Sequence, residues 1–340
     1  MMDPEAWKIG FKRPYATRSR PFFVLVVITI VIVVLTISSI FSRPIKSHLH
    51  DLVSSTNDAG GPTWFILVSS SAHLRQRRDI IRSTWQTYYR NVTFDARFVM
   101  GTPPDPWKEV VRRENDTFGD IIVLDSAEDD RFWAVTEKPF ETFILLKNQS
   151  EATGKKYDFV SKIDDDSFLD ARTFYRDFLL PNWHVPRLIL GRIIQYHRLH
   201  TFPAGMFYTL SWDLTMLIAD LYRSDERDLI AVMSEEDPPK PEGWHKEEGV
   251  LKKRHEDYMI SDLLVHAGEE FDYVRLGYDR SFNFDTANLT TGVVNVHDMK
   301  LDEQYLWVAS MYDESGFAGK MREDGVDMQE KLMAVGKKDG

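Results

Sequence analysis

Short apolar runs alternate with helical patterns from residue 64 to residue 298, and nothing else in the 340-residue chain limits its fold as much. "WFILVSS" (64–70), "FDARFVM" (94–100), "DIIVL" (120–124) and "YDFVSKI" (157–163) have the length and content of buried strands. "LILG" (188–191), "MFYTLS" (206–211), "FDYVRLG" (271–277) and "GVVNVHD" (292–298) read the same way. Between them, "LRQRRDIIRSTWQTYY" (74–89) spaces Ile81, Trp85, Tyr88 and Tyr89 as one helical face. Helices are also expected over 171–179, 213–222 and 257–267, and over 132–149, where Pro139 should interrupt any single long helix. Strands alternating with helices imply an α/β domain around a largely parallel sheet. In such sheets ligands bind beyond the carboxyl ends of the strands.

The domain is expected to span 63–310. Ahead of it lies "FFVLVVITIVIVVLTISSIF" (22–41), twenty residues without a charge. That length suits a helix crossing a bilayer core of ~30 Å. Lys8, Lys12, Arg13, Arg18 and Arg20 precede it, so the positive-inside rule puts residues 1–21 in the cytosol. A cleaved signal peptide is the competing reading, but its apolar region is typically shorter, ~7–15 residues. Residues 42–62 read as a flexible stem, 223–256 as a charged surface insertion and 311–340 as a polar tail. Sequons at Asn91, Asn115, Asn148 and Asn288 fall on the side expected to be luminal. A formal net charge of −11 argues against nucleic acid as a partner. With no cysteine, disulfides and thiolate metal sites are excluded.

Four segments could carry chemistry. "KIDDDSF" (162–168) sets three carboxylates behind an apolar strand. Asp164 and Asp166 are two apart, so in extended chain they share a side and could bind a hard divalent cation such as Mg²⁺ or Mn²⁺. A solvated acidic turn would look the same. Arg75, Arg78 and Arg82 line one face of the first helix, either as a site for a diphosphate or as a solvated basic face. Asp257, in "HEDYMISDLL" (255–264), opens a helix, either as a dipole-stabilising acid or as a general base. His297 ends "VNVH" (294–297), structural or a metal ligand.

In this order the segments resemble glycosyltransferase family 31, the β-1,3-galactosyl- and N-acetylglucosaminyltransferases. "RRDIIRSTW" (77–85) is similar to its RRxxIRxTW motif and "KIDDDSF" to KxDDDxF. "PAGMFYTLS" (203–211) is similar to its sGxgYvlS segment, and "EDYMISDLL" (256–264) to the EDVxxG helix. The resemblance runs from about residue 64 to 300. It departs at Phe207 and Ser261, where relatives carry Gly, and in lacking the cysteines of animal relatives, as a fungal-type or otherwise divergent member would.

The resemblance implies a GT-A-like fold, a UDP-sugar donor, Mn²⁺ (or Mg²⁺) and inversion at the anomeric carbon. Asp166 would be the main metal carboxylate, with His297 completing the metal shell. Asp164 and Asp165 would contact the nucleotide sugar or the metal's water, Arg78 and Arg82 would hold the diphosphate, and Asp257 would be the catalytic base. The function implied is a Golgi type II membrane enzyme, anchored by 22–41, that moves a hexose, galactose favoured, to a glycan, glycoprotein or glycolipid hydroxyl in a β-1,3 linkage. An inactive membrane-anchored glycan-binding or scaffold protein on the same fold is the alternative. A metal-dependent phosphohydrolase fits the carboxylates but not the order of motifs.

Overall fold

The structure is a computed structural model that describes residues 60–90, 92–128, 134–196, 200–224, 256–284 and 289–318. The expected anchor, nearly all of the stem and of the charged insertion, Asn91, Asn288 and the tail beyond 318 lie outside the described residues. No helix among the described residues is long and apolar enough to cross a membrane.

A seven-stranded sheet forms the centre. Its strands are β1 (Trp64–Ser69), β2 (Phe94–Thr102), β3 (Ile121–Glu128), β4 (Phe159–Asp164), β6 (Leu188–Tyr196), β7 (His200–Ser211) and β8 (Asp272–Arg275). They run in the order β3-β2-β1-β4-β7-β6-β8. β1 to β4 are mutually parallel, β7 is antiparallel to both neighbours, and β8 is parallel to β6. The sheet is thus mostly parallel, as expected. β5 (Phe168–Leu169), β9 (Ser281–Asn283) and β10 (Asn295–His297) form a second, three-stranded sheet in the order β5-β10-β9.

Burial on both faces explains the continuous apolar runs. On β1, Trp64, Ile66 and Val68 join one core with Ile81, Trp85, Val296 and Tyr305. Phe65 and Leu67 join another with Phe140, Phe143, Leu214 and Met259. The first core is covered by helices α1 (Arg75–Ser83) and α6 (Asp302–Ala309) and by the small sheet. The second is covered by α3 (Ala134–Thr153), α4 (Trp212–Arg223) and α5 (Glu256–His266). Helix α2 (Trp107–Phe118) ends at Gly119, whose φ of 66° is the left-handed conformation that glycine adopts at low cost.

One expectation is corrected here. α3 runs unbroken through Pro139. Pro139 lies six residues into α3, so it removes a single early rung of the ladder, and packing of Phe140 and Phe143 into the second core offsets that loss. Helix α6 and strand β9 have no clear sequence signal. β9 is three residues long, too short to display a period.

Candidate active site

The acidic triplet sits where β4, the middle strand of seven, reaches its carboxyl end. The chain turns there, with the Ser167 amide donating to the Asp164 carbonyl at 3.1 Å, and β5 joins the small sheet. β10 then brings His297 over the turn. The Met299 amide donates to the Asp166 carbonyl at 3.2 Å and ties the two segments. Asp164, Asp166 and His297 each offer one ligand atom, all within 4.8 Å of one another.

The tautomer of His297 decides what that cluster can hold. Nδ1 lies 3.0 Å from Asn283 Oδ1, which can only accept, so Nδ1 carries the proton. In the neutral ring the Nε2 lone pair then faces Asp164 Oδ2 at 3.5 Å and Asp166 Oδ1 at 3.3 Å. Three lone pairs converging on one point need a cation or an added proton between them. Asp165 Oδ2 and Asp166 Oδ1 are buried without a hydrogen-bond partner among the described residues. The donor set therefore fits a divalent cation held by Asp164, Asp166 and His297.

Electrostatics separates the three acids. Burial works against ionising Asp164, but the neighbouring Lys162 ammonium, joined by His297 when its ring is protonated, holds its pKa below the usual carboxylate range. Asp165 is pushed up to about 7 by desolvation, with repulsion from Asp166 and Asp164 adding to it. Lys300, exposed at the rim, pairs with Asp166 Oδ2 and with Asp298 Oδ1 at 3.0 Å.

Asp257 stands at the start of α5, beside this cluster through the β7 backbone. Between Gly191↔Tyr208 and Ile193↔Pro203 the β6–β7 register shifts, leaving residues 204–207 of β7 opposite Arg192 alone. This bulge carries Gly205, whose amide donates to Asp257 Oδ2 at 2.9 Å. A Cβ at Gly205 would come within 3.1 Å of both Asp257 Oδ2 and Glu256 Oε1. Phe207, one of the departures from the family pattern, is fully buried against Phe174. Ser261, the other departure, is buried with its hydroxyl 3.0 Å from that of Tyr273.

The arginines do not complete the site. Arg78 has no exposed side-chain surface, and its guanidinium bonds both Glu114 oxygens at 2.8 and 2.7 Å together with Ser70, Ser71 and Ala72. Arg82 bonds Asp79, Glu114 and Asp120 and lies over the rings of Phe98 and Phe118. Every strong donor on Arg78 thus has a protein acceptor, and Arg82 is paired with three acids, so both arginines hold the fold's own carboxylates here. Arg77 is the arginine turned toward the cluster. It bonds the Met299 carbonyl and Asp302 Oδ1, both at 2.8 Å, and acts electrostatically on Asp165. It was masked in the sequence by lying beside Arg78 in the same basic run.

Residues 76–199 match the sequence profile of the galactosyltransferase family, and that stretch contains both the arginine helix and the acidic triplet. Over that stretch the chain is similar to the family 31-like galactosyltransferases. A curated relative, the β-1,3-galactosyltransferase pvg3 of Schizosaccharomyces pombe, is 26% identical over 206 residues, covering 46% of this chain and 54% of the relative. The chain thus spans about half the length of the curated relative it matches. Among solved structures, mouse xyloside xylosyltransferase 1 overlaps with a TM-score of 0.38 at 12% identity, over 70% of this chain and 97% of that one. The galactosyltransferase LgtC bound to donor and acceptor sugar analogues overlaps with a TM-score of 0.39 at 10% identity, over 78% and 99%.

Proposed function

We propose that this chain is a metal-dependent hexosyltransferase with a GT-A-type domain. In this reading it moves galactose from a UDP-sugar to a glycan hydroxyl, forming a β-1,3 linkage with inversion. The observation that carries the reading is the convergence of the Asp164, Asp166 and His297 lone pairs, linked to Asp257 through Lys162 and Gly205. An imidazole among oxygen ligands favours Mn²⁺ over Mg²⁺. When bound, such an ion neutralises charge on a departing diphosphate. Asp257, fixed by the Gly205 amide, accepts the proton of the acceptor hydroxyl. That oxygen attacks the anomeric carbon as the bond to UDP breaks on the opposite face, so one displacement inverts the centre and needs no enzyme nucleophile. The run 22–41 serves in this reading as a signal anchor in the Golgi membrane, with the catalytic domain in the lumen.

The experiment is a donor panel of UDP-galactose, UDP-N-acetylglucosamine and UDP-glucose with Mn²⁺ and simple glycoside acceptors. Asp257→Asn should keep UDP-sugar binding and lose turnover by ~10²-fold or more. Asp166→Ala should abolish Mn²⁺-dependent UDP binding in calorimetry. Near-normal turnover by the first variant removes Asp257 as base, and an unchanged metal titration in the second removes the cation site. An inactive glycan-binding protein would bind acceptor but release no UDP.

A further inference from the structure

Lys162 is 1% exposed, yet its ammonium contacts three separate pieces of the fold. It lies 2.7 Å from Asp164 Oδ1, 2.6 Å from Glu256 Oε1 and 2.5 Å from the Gly205 carbonyl. Three donors thus meet three acceptors. Asp164 ends β4, Glu256 is the first residue of α5, and Gly205 belongs to the β7 bulge. Lys162 and Asp164 lie on the same side of β4, the side that α5 covers. Gly205 closes the circuit, because its amide holds Asp257 while its carbonyl holds Lys162. Tyr208, opposite Lys162 in the β4–β7 register, adds a buried hydroxyl with no hydrogen-bond partner among the described residues.

A buried ion pair is an inefficient way to stabilise a fold, since apolar residues of similar volume do as well or better. What it does supply is a fixed geometry between charges. We propose that Lys162 and Glu256 are positioning residues forming a clamp that sets the placement of Asp257 relative to Asp164. The inference rests on the transferase reading, in which these two carboxylates serve opposite ends of one displacement. Neither clamp residue touches substrate. Lys162 spans from the metal-side carboxylate to α5, and Glu256 holds the first turn of that helix so that the next side chain, Asp257, meets the Gly205 amide.

The test uses the full chain with Glu256→Gln and the double variant Lys162→Met/Glu256→Met. The double variant removes both charges together but leaves Asp164 and the Gly205 carbonyl without the ammonium, so it should melt below wild type, while kcat falls at least tenfold and donor KM stays within twofold. Wild-type kcat in that variant would overturn the clamp. Should the double variant fail to fold, Glu256→Gln decides, because it keeps Lys162 paired with Asp164. It should show the same fall in kcat at unchanged KM, and an unchanged kcat overturns the proposal. If wild type turns over no donor, the transferase reading is what has failed. Hydrogen exchange then reads the clamp without activity: amides in 203–211 and 256–264 should exchange at least tenfold faster in Glu256→Gln, and unchanged exchange rejects it.

Discussion

Arg78 and Glu114 show how one residue type can serve two ends. A basic helical face looks alike in sequence whether it meets a phosphate or a buried acid, and here the acid stands 36 residues away. Spacing places the arginines on one face and leaves their partner open. The carboxylates are more legible, because a two-residue step at the end of an apolar strand fixes their side. Lys162 is not legible at all, since a lysine two residues before an acid reads as solvated charge until Glu256 is seen beside it. Glu114→Gln should cost about 3 kcal/mol in urea unfolding at pH 7, because the Arg78 guanidinium stays buried without its anion. The pH dependence follows from the same pair. Burial works to raise the Glu114 pKa, but Arg78 and Arg82 hold it below the usual value. Its contribution is therefore full above the unfolded pKa of about 4.3 and lost as pH falls through the lower folded value. The variant's stability should be flatter across that acid window than that of wild type.

At the scale of elements, the β7 bulge and the short strand β9 matter most, and both are hard to read in advance. A bulge needs a partner strand to be defined, and the run 203–211 alone shows only an apolar stretch broken by Gly205. β9 pairs in parallel with β10, with Asn283 opposite His297 in the ladder. That register puts the Asn283 oxygen on Nδ1 and turns Nε2 toward the carboxylates. Partners of this kind fix a ligand's tautomer, and losing them typically costs ~10–100-fold in metal affinity. Asn283→Ala should weaken Mn²⁺ binding by about that factor in calorimetry while β9 stays paired. Wild-type affinity in that variant would show that the ring needs no such support.

For the whole molecule, the α/β class and the mostly parallel sheet were legible because both faces of the sheet are covered and its strands stay apolar throughout. The small sheet was not, being built from two- and three-residue strands far apart in sequence. Its entry is tied to the helices of the first core, where the Tyr305 hydroxyl donates to the Ser167 carbonyl at 2.8 Å and accepts from Trp85 Nε1 at 3.0 Å. The candidate metal ligands come from both sheets, so an ion bound there should stabilise the fold as a unit. At ~100-fold over its dissociation constant Mn²⁺ should add about 2.7 kcal/mol. At ~2–4 °C per kcal/mol that is a rise of about 5–10 °C in Tm by calorimetry. Chelation should reverse it, and His297→Ala should remove most of it.

The distance along the chain between the two halves of the site also sets a clock. Lys300 and Asp166, which meet at the rim, are 134 residues apart. At ~5–20 residues per second, a ribosome takes about 7–27 s to cover that interval. Through that time the nascent chain carries its acidic turn without the histidine that closes over it, and Lys162 without Glu256. Closure of the site over its acidic turn therefore waits until the last third of the chain is made.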